Sequence, residues 1–218
     1  MPRKLLEVCD SLPYHVTART NRREPFAIPL DRVWTTLGRE CLFIRTVYEV
    51  EFQALVLMPN HFHMILTVPQ HDLGKAMHEL MKSVSKRINL ISGQTGHVFG
   101  GPYHWSMIKN SRYFGHALKY VYRNPVKARL CENVEDSPYS TLHGLLGKSR
   151  LPFPIHYTRV GMELALPTVD AYEQLQWLNK PFPTEAEHLI RKRLRRRVFD
   201  TIIDPKNRRP YQPLEELL

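Results

Sequence analysis

Residues 50–68, VEFQALVLMPNHFHMILTV, form the most apolar run in the chain and decide its fold. The pair Pro59-Asn60 interrupts this run and favours a turn between two β-strands. The first strand, 52–58, is apolar almost throughout, which is typical of a strand buried on both faces. Side chains alternate between the faces of a strand, so the second strand directs His61 and His63 to one face.

Two imidazoles on one face of a stiff strand form half of a metal site. A His-x-His pair on a strand also occurs for purely structural reasons, and on its own the pair favours packing over metal binding. A metal role therefore requires a third ligand and a reaction from elsewhere in the chain.

The composition indicates a globular protein with a polyanionic partner. The chain has 218 residues, of which 43% are hydrophobic, which suits one compact domain with an extension or two small domains. Lys and Arg number 31 against 21 Asp and Glu, giving a net charge of +10. This balance favours nucleic acid as the partner, with a merely basic protein as the alternative.

Cysteine use and hydropathy predict a protein of the cytoplasm. Cys9, Cys41 and Cys131 are too far apart in sequence for a ligand cluster and do not suggest a disulfide framework. The first residues include basic side chains but no apolar segment, so we expect no signal peptide. No uninterrupted apolar run reaches the ~18 residues that would predict a membrane span.

The predicted elements follow the order β, α, β, β, α, β, α. Outside the central pair of strands, they are strand 14–20, helix 29–44, helix 72–91, strand 103–108 and helix 112–123. This order predicts an α+β fold, a ferredoxin-like (RRM-like) split βαβ antiparallel sheet with helices packed on one face. The other face of the sheet would be open to a ligand or nucleic acid.

A change of composition over 144–154 predicts a domain boundary. We expect a first domain at 1–147 and a basic, mostly helical extension at 148–218. Within the extension, 183–203 alternates arginines with apolar residues at helical spacing.

Two basic helical surfaces are candidate contacts to phosphates. The candidate side chains are Lys82 and Lys86 on the helix 72–91, and Arg191, Arg193 and Arg196 in the extension. A solvated charged face is the alternative explanation for each surface.

The helix before Asn124 contains the candidate nucleophile. Its apolar face, spaced i, i+3, i+4 and i+7, consists of Phe114, Ala117, Leu118 and Val121. Tyr120 lies on the opposite side with His116, Lys119 and Arg123, where a tyrosine is unusual unless it contacts something. Tyr122 borders the apolar face, which is better explained by packing.

Asn124 follows Tyr120 by one helical turn, so its amide oxygen is a candidate third metal ligand. The alternative is that Pro125 disfavours helical geometry at Asn124, which would then cap the following segment.

Four segments together resemble a known family. They are LMPNHFHMI, KYVYRNPVKARL about sixty residues later, YHVTARTNRREPF near the start and GHVFGGPYHW before the tyrosine helix. In combination they resemble the single-tyrosine HUH (IS200-like) transposases, in particular the REP-associated tyrosine transposases of bacterial chromosomes. The resemblance covers about residues 12–146.

The resemblance implies a ferredoxin-like core in which Tyr120 is the nucleophile. It implies a divalent metal, Mg²⁺ or Mn²⁺, held by His61, His63 and Asn124. The substrate would be single-stranded DNA cut beside a hairpin of a repetitive extragenic palindrome, through a 5′-phosphotyrosine intermediate. Lys119 and Arg123 would steady this DNA, and the protein would act in the bacterial cytoplasm, at the nucleoid. We expect a monomer, with a dimer as the open alternative.

The chain departs from the family in one loop. Where members often show Trp-Gln-x-Arg followed by Tyr or Phe, this chain has Phe99-Gly100-Gly101-Pro102-Tyr103. This change leaves open a DNA-binding regulator on the same fold without cleavage. A metal-dependent phosphodiesterase that uses water, with Tyr120 taking no part, is a separate alternative.

Overall fold

The computed structural model describes Cys9 and residues 11–69, 72–156 and 171–200. The elements up to the tyrosine helix follow the predicted order: β1 (Tyr14–Arg19), a 3-10 turn at Asn21–Arg23, α1 (Leu30–Tyr48), β2 (Glu51–Met58), β3 (His61–Thr67), α2 (Leu73–Ser92), β4 (His104–Ile108) and α3 (Ser111–Lys127). They are followed by a 3-10 turn at Val134–Asp136, α4 (Thr141–Leu145), α5 (Ala171–Asn179), α6 (Thr184–Arg193) and the short strand β5 (Val198–Phe199).

The sheet has five strands in the order β2-β3-β1-β4-β5. The first four are antiparallel, and β5 is parallel to β4. β1 and β3 lie side by side in the middle, with Thr17 paired to His63 and Arg19 paired to His61. The α+β class with a helical C-terminal part is therefore confirmed.

Helices cover both faces of the sheet, which corrects the expectation of one open face. Phe62, Met64 and Leu66 of β3 belong to a core cluster with residues of α1 and α2. Ile65, on the face that also holds the two histidines, belongs to a second cluster with α3, α5 and α6. Although the composition predicts a separate C-terminal extension, Phe182 and other apolar side chains of the extension are buried in this second cluster.

α3 continues through Pro125 to Lys127, so Asn124 is helical and does not begin a new segment. Proline lacks the N–H that would bond the carbonyl of Val121. The side-chain nitrogen of Asn124 lies 2.8 Å from the carbonyl oxygen of Tyr120 and 3.5 Å from that of Val121, which partly replaces the missing donor. The side chain of Asn110 caps the other end of the helix by accepting from the N–H of Tyr113 at 2.9 Å.

The basic C-terminal helix is shorter than the pattern predicted. It ends at Arg193, so Arg196 lies beyond it, and β5 follows. The N–H of Met107 on β4 donates to the carbonyl of Arg197 at 2.9 Å, and that of Lys109 donates to Phe199 at 3.2 Å. Pairing with the free edge of β4 satisfies these groups and overrides the helical periodicity.

The proposed boundary near residue 147 stays a prediction, and 157–170 and 201–218 of the extension lie outside the described residues. No helix among the described residues has the length and apolar character needed to cross a bilayer.

Candidate active site

A cavity of about 520 Å³ lies between the sheet, α3 and α6. It brings together five of the residues singled out from the sequence: His61, His63, Tyr120, Asn124 and Arg191. Strand alternation places the two histidines on the face that α3 covers, and helical periodicity directs Tyr120 and Asn124 back toward them. The cavity thus combines imidazoles, a phenol, an amide and a guanidinium.

Each of the two histidines has a polar partner at its Nδ1 atom. Nδ1 of His61 lies 2.7 Å from Oδ1 of Asn60. Nδ1 of His63 lies 3.0 Å from Nε2 of His15, and the rings of these two residues are stacked with centroids 5.2 Å apart. This arrangement leaves Nε2 of both His61 and His63 without a hydrogen-bond partner among the described residues.

Burial keeps the three imidazoles neutral. It lowers the pKa of His15 to about 4, and together with the nearby charge of Arg19 it lowers the pKa of His61 to about 4. The pKa of His63 falls well below its ordinary value, first through burial and then through His15, His61 and Arg19. Neutral imidazole is the form that binds a metal ion.

Tyr120 packs edge-on against the histidines. Its ring centroid lies 5.8 Å from that of His63 and 6.2 Å from that of His15. Burial raises the pKa of the Tyr120 phenol, and the positive charges of Arg191 and Arg195 oppose this rise. The hydroxyl is therefore protonated at neutral pH and lies in a cationic environment.

Tyr122 lies on the packed side of α3 and is 2% exposed. Its hydroxyl is 3.2 Å from Oγ1 of Thr141, which in turn bonds the backbone of Leu55 on β2. This contact ties α3 to the sheet, and Tyr122 does not line the cavity.

The side chains at the cavity fit a divalent cation that is also bound by a substrate. Asn124 donates its amide N–H to the carbonyl of Tyr120, which leaves Oδ1 available as an oxygen ligand. With Nε2 of His61 and of His63, this oxygen would make an N₂O donor set. No cluster of three His, Cys, Asp or Glu side chains in the described part of the chain is arranged to hold a metal ion, so the remaining ligands would come from substrate and water.

Arginines from separate segments converge on the cavity: Arg191 and Arg195 belong to the basic C-terminal segment predicted from the sequence, whereas Arg19 and Arg23 were not predicted. Repulsion from Arg23, Arg191 and Arg195 adds to burial in lowering the pKa of Arg19, which reflects how closely the like charges approach. Alternation along β1 was the available signal, because His15, Thr17 and Arg19 share the face of the paired histidines.

Lys119 does not reach the cavity, which corrects its expected role in steadying DNA. Its side chain is 1% exposed. Nζ lies 4.6 Å from the ring centroid of Trp177 and 4.9 Å from that of Phe182, both in the C-terminal part. The helical wheel placed Lys119 on a side opposite the apolar face, and the extension covers that side.

Arg123 also forms its hydrogen bonds with the extension. Its guanidinium donates to the carbonyl of Leu178 at 3.0 Å and to that of Asn179. These carbonyls are at the C-terminal end of α5, where a cation is favourable. Arg123 therefore fixes α5 to α3 and is not placed to contact DNA in the cavity.

The other predicted phosphate contacts also lie outside the cavity. Lys82 and Lys86 are on α2, and Lys82 forms an exposed pair with Glu79 at 3.4 Å. Arg193 and Arg196 belong to the same segment as Arg191 but do not line the cavity.

The loop that departs from the family pattern lines a second cavity, of about 900 Å³, with Lys82. The N–H of Gly100 donates to the carbonyl of Arg19 at 3.0 Å. A Cβ atom at this glycine would come within 3.2 Å of the carbonyl oxygen of Thr20. Gly100 therefore permits a close approach of the loop to the end of β1.

Comparison with known proteins gives a consistent set of relatives. A family model described as "Transposase IS200 like" matches residues 8–124. The chain is 32% identical over 108 residues to the REP-associated tyrosine transposase of Escherichia coli (strain K12), a match that covers 47% of this chain and 60% of that protein. It is 24% identical over 107 residues to a putative REP-associated tyrosine transposase of Haemophilus influenzae, covering 44% of this chain and 61% of that protein.

The chain thus spans about 60% of the length of these curated relatives. A solved structure of a REP-associated tyrosine transposase bound to a REP hairpin has the same fold. It superimposes with a TM-score of 0.57 at 23% identity and covers 71% of this chain and 89% of that chain.

Proposed function

Because the chain belongs to the IS200-like transposase family, we propose that it cuts and rejoins single-stranded DNA beside REP-type hairpins through a covalent 5′-phosphotyrosine link. The observation that carries this proposal is the packing of Tyr120 against His63 in a cavity that also contains His61 and Asn124. The hairpin is proposed from the relatives, which are named REP-associated, one of them bound to a REP hairpin.

In the proposed reaction, Oη of Tyr120 attacks the scissile phosphorus. A bond forms between Oη and phosphorus, the bond from phosphorus to the 3′ oxygen breaks, and the phenolic proton is balanced by protonation of the leaving 3′ oxygen. The strand ends as a free 3′-OH and a 5′-phosphate on Tyr120. Because one phosphodiester replaces another, a 3′-OH can reverse the step and rejoin DNA without a nucleotide cofactor.

We propose that His61, His63 and Asn124 hold a divalent cation at this site, Mg²⁺ or Mn²⁺. Such an ion, when bound, neutralises charge on a phosphate and orients it for in-line attack. The protein's own contribution is to hold two neutral imidazoles and an amide oxygen on rigid elements facing Tyr120.

Four arginines are the proposed contacts to the DNA backbone at the cut site: Arg19, Arg23, Arg191 and Arg195. They line the same cavity as Tyr120. Guanidinium groups bind phosphate oxygens through paired N–H donors, and their charge also favours the phenolate form of the nucleophile. Because the proposed substrate is chromosomal DNA, we place the protein in the bacterial cytoplasm, at the nucleoid. The proposed reaction can be carried out by a monomer, since none of its steps requires a second subunit.

The test is covalent capture on labelled DNA. The protein is incubated with Mn²⁺ and a labelled single strand that carries a REP hairpin and its flanking bases, and the adduct is resolved on a denaturing gel. Tyr120→Phe retains the ring and removes only the hydroxyl, so DNA binding should persist while adduct and cleavage disappear.

Tyr122→Phe is the matched control, two residues away on the packed side of the same helix. It should lose some stability but still form the adduct. An adduct that maps to Tyr122, or to Tyr103 or Tyr113, would contradict the assignment. Cleavage without an adduct would indicate a phosphodiesterase that uses water, and hairpin binding without cleavage would indicate a regulator.

A further inference from the structure

The side chain of Asn60, in the turn between β2 and β3, joins two walls of the cavity. Its Nδ2 atom lies 2.6 Å from the carbonyl oxygen of Arg23, and its Oδ1 atom lies 2.7 Å from Nδ1 of His61. We propose that Asn60 is a positioning residue that holds His61 in the tautomer protonated at Nδ1, with the lone pair of Nε2 available to a metal ion. The proposal rests on the metal site proposed above.

The chemistry of the two contacts fixes the orientation of the amide. A backbone carbonyl only accepts hydrogen bonds, so the atom of Asn60 that faces Arg23 must be the amide nitrogen. The amide oxygen then faces His61 and also only accepts, so Nδ1 of His61 must carry the proton. A neutral imidazole has a single N–H, and Nε2 is therefore the unprotonated nitrogen.

The Arg23 carbonyl, which accepts from the amide of Asn60, belongs to a strained turn. Arg22 and Arg23 have φ angles of 54° and 63°, a region unfavourable for residues other than glycine. Thr20 secures the turn: its N–H donates to the carbonyl of Asn60 at 2.9 Å, and its hydroxyl lies 2.5 Å from the carbonyl oxygen of Glu24. The turn is thus held in the conformation that presents the Arg23 carbonyl to Asn60.

A purely structural role for Asn60 would be to fasten this turn to the β2–β3 turn. Thr20 shares that role, and the hydrogen bonds that it donates go to the backbone of Asn60 and Glu24 and not to the imidazole of His61, so Thr20→Val is a matched control. Asn60→Asp separates the two functions of the amide, because a carboxylate can still accept from His61 but cannot donate to Arg23. Asn60→Ala removes both contacts.

The first measurement is the tautomer of His61 in the metal-free protein, from ¹⁵N NMR of the imidazole ring at neutral pH. We expect protonation at Nδ1 in the wild type, in Thr20→Val and in Asn60→Asp, and a mixture of tautomers in Asn60→Ala. The second measurement is Mn²⁺ affinity by calorimetry. Loss of an outer partner of a histidine ligand typically costs about 10–100-fold in metal affinity, and we expect this loss in Asn60→Ala but not in Asn60→Asp or Thr20→Val.

Protonation of wild-type His61 at Nε2 would overturn the proposal, and so would equal losses of Mn²⁺ affinity in Asn60→Ala and Thr20→Val. A wild-type protein that binds no Mn²⁺ would refute the metal site itself, while the NMR result would still decide the tautomer. Failure of the covalent capture experiment would count against the proposed reaction. The role of Asn60 would still be decided by the NMR tautomer of His61 and by the Mn²⁺ affinities.

Discussion

Replacing Lys119 by methionine should stabilise the protein at neutral pH and remove part of its pH dependence. The Lys119 side chain is buried between Trp177 and Phe182. Burial, followed by repulsion from Arg123 and Lys180, lowers its pKa from 10.5 to about 8. The folded state therefore releases this proton before the unfolded state does, and stability should rise with pH between about 8 and 10.5.

The size of the effect follows from the pKa shift. One pKa unit corresponds to about 1.36 kcal/mol, so the full shift corresponds to roughly 3 kcal/mol. Residual solvent screening and attraction of the charged form to the two rings both reduce this figure. We expect the wild type to gain ~1–2 kcal/mol relative to Lys119→Met on going from about pH 7.5 to about pH 10.

Urea denaturation at the two pH values measures this difference directly, because groups other than Lys119 titrate alike in both proteins. Lys86→Met, at an exposed lysine of α2, is the control and should follow the wild type. Lys119→Met should also bind hairpin DNA as the wild type does. If the free energy of unfolding changes with pH equally in wild type and Lys119→Met, the burial argument is refuted. A large loss of DNA binding in Lys119→Met would indicate that Lys119 contacts DNA after all.

The remaining predictions concern the cavity. Arg191→Ala and Arg195→Ala should each weaken binding of single-stranded DNA and reduce the slope of log K against log salt by about 0.7 for each phosphate that the variant no longer neutralises. Fluorescence anisotropy over a salt series measures this slope, with Arg196→Ala, outside the cavity, as the control. A slope equal to that of the control would assign Arg191 and Arg195 to packing. EDTA should abolish adduct formation, Mn²⁺ or Mg²⁺ should restore it, and His61→Ala and His63→Ala should not be rescued. Full activity in excess chelator would refute the metal site.

The β2–β3 pair and the side of α3 that carries Tyr120 could be predicted because both follow from signals that are local in the sequence. Alternation along β3 placed His61 and His63 on one face, and the helical wheel separated Tyr120 from Tyr122. The lining of the cavity could not be predicted in the same way. It depends on β1 pairing with β3, which brings His15 and Arg19 beside the histidines through contacts distant in sequence.

The roles of Lys119 and Arg123 illustrate the same limit. A charged side of a helix predicts exposure, and a wheel gives no information about a segment that packs on that side from more than fifty residues away. Two aromatic rings over Lys119 and two carbonyls facing Arg123 convert an expected DNA surface into an internal contact. The departure at the end of α6 has a similar origin, since the free edge of β4 determines the conformation of the residues that follow.

One side of the cavity is formed by Arg191, Leu194 and Arg195, which are among the last described residues to be synthesised. His61, His63, Tyr120 and Asn124 are synthesised before Arg191 and Arg195. Arg191 lies in α6, and Arg195 lies between α6 and β5. A nascent chain therefore contains Tyr120, the proposed nucleophile, before it contains the two arginines that complete the cationic cavity. Translation that stops early would release a fragment with Tyr120 but without Arg191 and Arg195. If the proposed function holds, the timing of synthesis itself would delay the capacity to bind and cut a DNA strand.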